Sequence, residues 1–218
     1  IPASVTEIGI QAFKDVTSLA NVTFAAGSVI TTIGNSAFQS TGITSIIIPA
    51  SVTSLGVAAF FSCSALASVS FAAGSVVGTI GSSTFTGTSI TSIAIPSSVT
   101  TIVSQAFKNT SSLVSVTFAA NSTLTTIGDN AFENTGLTSI AIPASVTSIG
   151  SFAFKSCTNL ASVTFAANSG LLSIGYSAFL STAITSIALP ASLQTIGDGV
   201  FIGTGLTSIA IPASVTAI

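Results

Sequence analysis

Histidine, arginine, tryptophan and methionine are all missing from these 218 residues. Without His or Arg the chain can build no Ser–His nucleophile pair, no imidazole metal site and no guanidinium clamp for phosphate or carboxylate. Charge is scarce too, with three lysines and five carboxylates making up 4% of the chain where about 25% is usual. A net charge of -2 with no basic cluster argues against nucleic-acid or anionic-lipid partners. Although 48% of the residues are hydrophobic, Ser or Thr interrupts them every few positions. No apolar run therefore reaches the roughly 18 residues of a membrane span. No charged start followed by an apolar stretch and a cleavage site is seen, and residue 1 is Ile at a repeat opening. The chain therefore reads as a mature or partial segment.

The few charged side chains gather into no recognisable centre. Glu7, Asp15, Asp129, Glu133 and Asp198 are scattered. Asp129 and Glu133 share a repeat, but Ca²⁺ takes six or more oxygens, so they read as a solvated loop pair. Lys14, Lys108 and Lys155 follow the same repeated Phe and are expected on an exposed loop. Gly-rich phosphate loops and nucleophile elbows are absent. No catalytic residue, cofactor or metal is expected.

What the chain does contain is repetition. Copies of one segment open at Ile1, Phe24, Ile48, Phe71, Ile95, Phe118, Ile142, Phe165 and Leu189, and a tenth begins at Ile211. Steps of 23 and 24 residues alternate until the last, giving 47-residue double repeats from 1, 48, 95, 142 and 189. Odd copies carry Pro second (Pro2, Pro49, Pro96, Pro143, Pro190), whereas even ones open FAAG or FAAN. A fixed period of this length predicts a solenoid, read as a single array over 1–218 that is a segment of a longer one. The last eight residues, IPASVTAI, repeat the first eight, IPASVTEI. Either further repeats and caps follow, or copies stack head to tail.

Each repeat has three parts. The closing part, such as Leu66, Val69, Phe71 or Ile90, Ile93, Ile95, alternates apolar and small polar residues and predicts a half-buried strand. The S-V-T-x-I-G part predicts a second short strand ended by a turn. The x-x-A-F-x-x-x part places Phe13, Phe38, Phe60, Phe85, Phe107, Phe132, Phe154, Phe179 and Phe201 at one position. A tight helical or 3₁₀ turn is expected there, with the phenylalanines stacked as core. The fold class is thus mostly β, a solenoid of nine coils of 22–24 residues with parallel strands and short 3₁₀ or helical turns.

The pattern L-T-S-I-x-I-P-x-S-V-T-x-I-G-x-x-A-F-x-x-C, nearly whole from Leu137 to Cys157, resembles the BspA-like, or Treponema-type, leucine-rich repeat. The resemblance implies that the closing strands line the concave face of a curved solenoid. It also implies a secreted or surface-exposed protein of bacteria or protists that acts in adhesion, without catalysis.

Cys63 and Cys157 lie 94 residues apart at one repeat position. Four coils at about 4.8 Å separate them by about 19 Å, whereas a disulfide needs Cα atoms within about 7 Å. They read as two buried free thiols that fill space.

Surface rows remain. Ser45, Ser68, Ser92, Ser115, Ser139, Ser162, Ser186 and Ser208 are expected to form an outward row on the closing strands, and so a candidate concave contact row. Thr6, Thr31, Thr53, Thr100, Thr125 and Thr147 follow the other strand. Asn21, Asn109 and Asn121 sit in N-x-S/T sequons and are candidate N-glycosylation sites. Three readings follow. The first is a non-enzymatic extracellular structural or adhesive element, self-assembling into a surface fibre or a long array and glycosylated. The second is an adhesin that recognises matrix protein or polysaccharide through its concave strand face. The third is an ice-binding surface.

Overall fold

Alternating β-branched and hydroxyl residues suit a pleated surface with one face buried. A computed structural model describes residues 1–218, and in it the closing segments form strands Ser45–Ile48, Ser68–Phe71, Ser92–Ile95, Ser115–Phe118, Ser139–Ile142 and Ser162–Phe165. Their first and third residues are exposed and their second is buried. The S-V-T-x-I-G segments supply two-residue strands from Glu7–Ile8 to Thr195–Ile196, and nine of these join in one parallel sheet. Its register stacks like on like, as in Ile8↔Ile33 and Ile127↔Ile149. A bridge from Thr195 to Ala217 begins a tenth rung.

The Ala–Phe segment keeps the expected 3₁₀-type turns but forms no helix. Every second N–H leaves for the next coil: Gln105, Phe107 and Asn109 donate to the carbonyls of Asp129, Ala131 and Glu133 at 2.8–2.9 Å. The N–H groups between them close turns on their own coil, Ala106 onto Val103 and Lys108 onto Gln105. Half of the donors are thus withdrawn from any helix, and the segment becomes a ribbon of 3₁₀-like turns. Two residues per coil hold a left-handed backbone, for example Gln105 (φ 62) and Asn109 (φ 58). Three bonds of this kind tie each coil to the next and form a third ladder beside the two sheets.

The phenylalanines stack through the interior with ring centroids 5.1–6.0 Å apart. The seven from Phe38 to Phe179 are fully buried, while Phe13 and Phe201 at the ends are partly covered. Around them one apolar cluster runs from Ile8 to Val200.

The closing-strand face is interrupted at regular intervals. Its strands pair only in twos, Ser45–Ile48 with Ser68–Phe71, Ser92–Ile95 with Ser115–Phe118, and Ser139–Ile142 with Ser162–Phe165. Within a pair, the N–H after the opening residue completes the ladder: Ala72 donates to Ile48 O at 2.9 Å and Ala166 to Ile142 O at 3.0 Å. Between pairs the equivalent donor would be Pro49, Pro96, Pro143 or Pro190, which has no N–H. Proline thus opens the ladder once every 47 residues. Ser hydroxyls two positions on bridge the same gap, as Ser98 Oγ does to Val77 O at 2.8 Å and Ser51 Oγ to Ile30 O at 2.7 Å.

Candidate functional site

Charge on this molecule is concentrated on one side of the coil, with Glu7 on the short-strand sheet as the exception. Lys14, Asp15, Lys108, Glu133 and Lys155 lie on the turn ribbon, and Asp129 and Asp198 immediately before it. Glu133 is not the solvated residue that the sequence suggested. It occupies the same repeat position as Lys108 and Lys155, so stacking places a lysine on either side. Lys108 Nζ lies 2.8 Å from Oε2 and Lys155 Nζ 3.4 Å from Oε1. Asn130 Nδ2 donates to Oε2 at 2.7 Å. Asp129 is turned away, its Oδ1 accepting the Ser151 N–H at 2.8 Å. The two carboxylates therefore do not converge, and no group of three or more acidic or sulfur ligands exists.

Burial acts to raise the Glu133 pKa, but the bonds from Lys108 and Asn130, the Lys108 charge and Lys155 outweigh it and hold the carboxyl below its ordinary value. A lowered folded pKa stabilises the fold above the unfolded pKa, and that contribution is lost as pH falls through the folded value. Glu133→Gln is expected to cost about 1 kcal/mol or less at neutral pH, since both lysines are partly exposed. It should also flatten the acid limb of stability below the ordinary glutamate range. Urea melts across that range check both effects, and an unchanged acid limb would remove Glu133 as their source.

Both cysteines are free and buried, as the repeat position implied. Cys63 Sγ donates to Phe38 O at 2.9 Å and Cys157 Sγ to Phe132 O at 3.0 Å. At the equivalent place Thr110 Oγ1 donates to Phe85 O at 2.9 Å, so thiol and hydroxyl are interchangeable caps. Burial pushes both thiols above their ordinary pKa, against the smaller opposing effect of Thr41 and Thr135. Native protein is expected to react with a thiol reagent only as fast as it unfolds, and denatured protein at once. Rapid native reaction would contradict the burial.

The two hydroxyl rows separate in the structure. In the Thr row the hydroxyls bond to the preceding coil, as Thr53 Oγ1 does to Thr31 O at 3.1 Å and Thr125 Oγ1 to Thr100 O at 3.0 Å. That row is a ladder holding coils together. Ser45, Ser68, Ser92, Ser115, Ser139, Ser162, Ser186 and Ser208 are all exposed. Asn21, Asn109 and Asn121 are exposed as well, and Asn109 Oδ1 accepts a bond from Asn134 at 3.1 Å.

One surface escaped the sequence reading. Even copies take eleven residues from opening residue to glycine and odd copies nine, so at the corner between the two sheets tall loops alternate with short ones. The tall loops, such as Ala72–Val76, expose Ala73, Gly74 and Val76, whereas Pro49, Ala50 and Ser51 of a short loop are buried or half-buried. Ridges and grooves result. Crevices of about 630, 430 and 510 Å³ recur over Pro49, Pro96 and Pro143, beside the half-buried Phe24, Phe71 and Phe118. No charged residue lines any of them. The signal available in the sequence was the alternating loop length together with proline in the shorter loop.

Parallel coils of 22–24 residues, a stacked core row and turns in place of helices define the class as a leucine-rich-repeat solenoid. The model of the BspA type leucine-rich repeat region matches residues 1–114 and 78–201. The chain belongs to that family. Among solved structures it is similar to the pneumococcal vaccine antigen PcpA, at 24% identity and TM-score 0.70, covering 100% of this chain and 56% of that one. A leucine-rich repeat protein from Bacteroides ovatus gives 24% identity and TM-score 0.65, covering 100% of this chain and 67% of that one. A leucine-rich cell surface protein from Faecalibacterium prausnitzii gives 28% identity and TM-score 0.48, covering 99% and 73%. The chain thus spans little more than half the PcpA structure. No curated protein gives a significant match. No helix is long and apolar enough to cross a membrane.

Proposed function

We propose that this chain is a non-enzymatic structural or adhesive element of a cell surface, acting outside the cell as a segment of a longer array that associates with copies of itself. The observation that carries this reading is the near absence of surface charge outside the turn ribbon, because charge is what ordinarily keeps copies of a protein apart. Membership of a repeat-scaffold family supports it. Carbohydrate on Asn21 and Asn109 belongs to the same reading, as a coat for the remaining surface, with Asn121, on a tall loop of the corner, left bare. Negative-stain microscopy of material from its source tests assembly, and intact mass tests the coat. Dispersed single particles would overturn the first, and a mass equal to the bare polypeptide the second.

A second reading, recognition of matrix protein or polysaccharide through the closing-strand face, is favoured by the serine row. Those hydroxyls are exposed and free of bonds within the chain, whereas the hydroxyls of the equally exposed Thr row are tied to the preceding coil. Its test is Ser115→Lys with Ser139→Lys, which should abolish binding to matrix or polysaccharide while leaving the melt unchanged. Undiminished binding by this variant would exclude the face.

A further inference from the structure

We infer that copies associate side by side through the corrugated corner of the solenoid, the ridges of one chain seated in the grooves of a second copy. The inference rests on the self-association reading above and assigns it a surface. Ridges are the tall loops Ala25–Val29, Ala72–Val76, Ala119–Thr123 and Ala166–Gly170, and the grooves between them run over Pro49, Pro96 and Pro143.

Three observations select a second copy as the occupant. First, none of the eight charged residues lies on this corner, neither in the tall loops nor in the short ones. Seven of them sit on or beside the turn ribbon, which each coil places across from the corner, with a strand between on either side. Two corners brought together therefore desolvate no charge, and the lysines and carboxylates stay in water. Second, apolar groups are already displayed: Val29 and Val76, which close two of the four ridges, stand 51% exposed. Third, ridge and groove share one 47-residue period and are offset by a single coil. A two-fold arrangement can thus seat three ridges of each copy in the three grooves of the other, the self-complementary form in which most dimers close.

At the strand spacing the corner of the nine coils is about 40 Å long, and each tall loop closes a turn across it, as Ser75 N does onto Ala72 O. The contact is therefore a long narrow strip, of the size at which association is weak and depends on concentration.

Sedimentation velocity over a concentration series tests this on the full chain. The ridge variant Val29→Lys with Val76→Lys places charge where the partner's groove would bury it, and should weaken association roughly a hundredfold or more. The groove variant Ala50→Leu with Ala144→Leu adds no charge but fills the seats, and should weaken it as well. Ser115→Lys with Ser139→Lys, on the closing-strand face, should associate as the parent does. Thermal melts show that each variant is folded, and either the ridge or the groove pair suffices if the other fails. If the parent chain stays monomeric up to its solubility limit, the self-association reading falls and this surface with it. If the parent associates and the folded ridge and groove variants match it, self-association stands and the corner is excluded. Equal loss in the closing-strand variant would also overturn the assignment.

Discussion

Phe132→Ala is expected to lower stability by about 3 to 5 kcal/mol, the range for deleting a fully buried aromatic ring. Phe132 is stacked on both faces, against Phe107 at 5.1 Å and Phe154 at 5.4 Å, so its removal leaves a gap that the neighbouring rings are poorly placed to fill. They are held by ladder bonds to the coils that follow them, Phe107 N to Ala131 O and Phe154 N to Ala178 O, both 2.8 Å. In a solenoid each coil touches only its neighbours, and a weak central interface divides the array into two shorter ones. The melt should therefore broaden as well as move. Phe13→Ala removes a ring stacked on one side only and partly exposed, and should cost clearly less. Urea denaturation followed by circular dichroism compares the pair, and equal losses would mean that the stack is not the source of cooperativity.

Gly175→Ala is the second large effect. A Cβ there would lie 2.5 Å from Ser151 N and 2.6 Å from Gly150 C, both backbone atoms of the preceding coil. Gly175 N is bonded to Ile149 O at 2.8 Å, so relief requires the coils to separate where they are pinned. A loss of about 1 to 3 kcal/mol is expected from such overpacking. The chain contains its own comparison. Val103 stands at this place in the fifth repeat, and its N–H reaches Ile80 O at 3.0 Å, against 2.8 Å at Gly128, Gly150 and Gly175. A larger side chain is thus accommodated there with a slightly longer bond. Gly9, at the same place in the first coil, has nothing within 4 Å of a built Cβ. Gly9→Ala should fall within about 0.5 kcal/mol of the parent. If both alanine variants melt alike, coil-to-coil contact is not what requires glycine.

Repetition made much of this legible before any coordinates. Once Phe13 to Phe201 are aligned, one position must face the same way in every coil, and the exposed serines and buried cysteines follow by the same logic. The Lys108–Glu133–Lys155 column was equally available, because all three residues directly follow the repeated Phe. Treating the lysines and the carboxylates as separate sets concealed it. The turns were harder to anticipate, since a short segment around Ala–Phe fits a helical turn as well as a ribbon when only its own bonds are considered.

The sequence by itself determined the period, the buried face of each strand, the aromatic stack and the lack of histidine and arginine, because each is a matter of residue type alone or of residue type at a repeated position. Tertiary structure decided which coil each N–H serves. Only when one copy is laid on the next does Pro96 fall opposite the Phe71 carbonyl, leaving the closing sheet in pairs. Only then does the two-residue difference between loops become a row of ridges and grooves. Hydrogen bonds between coils depend on register, and register is a relation between copies that no single copy contains.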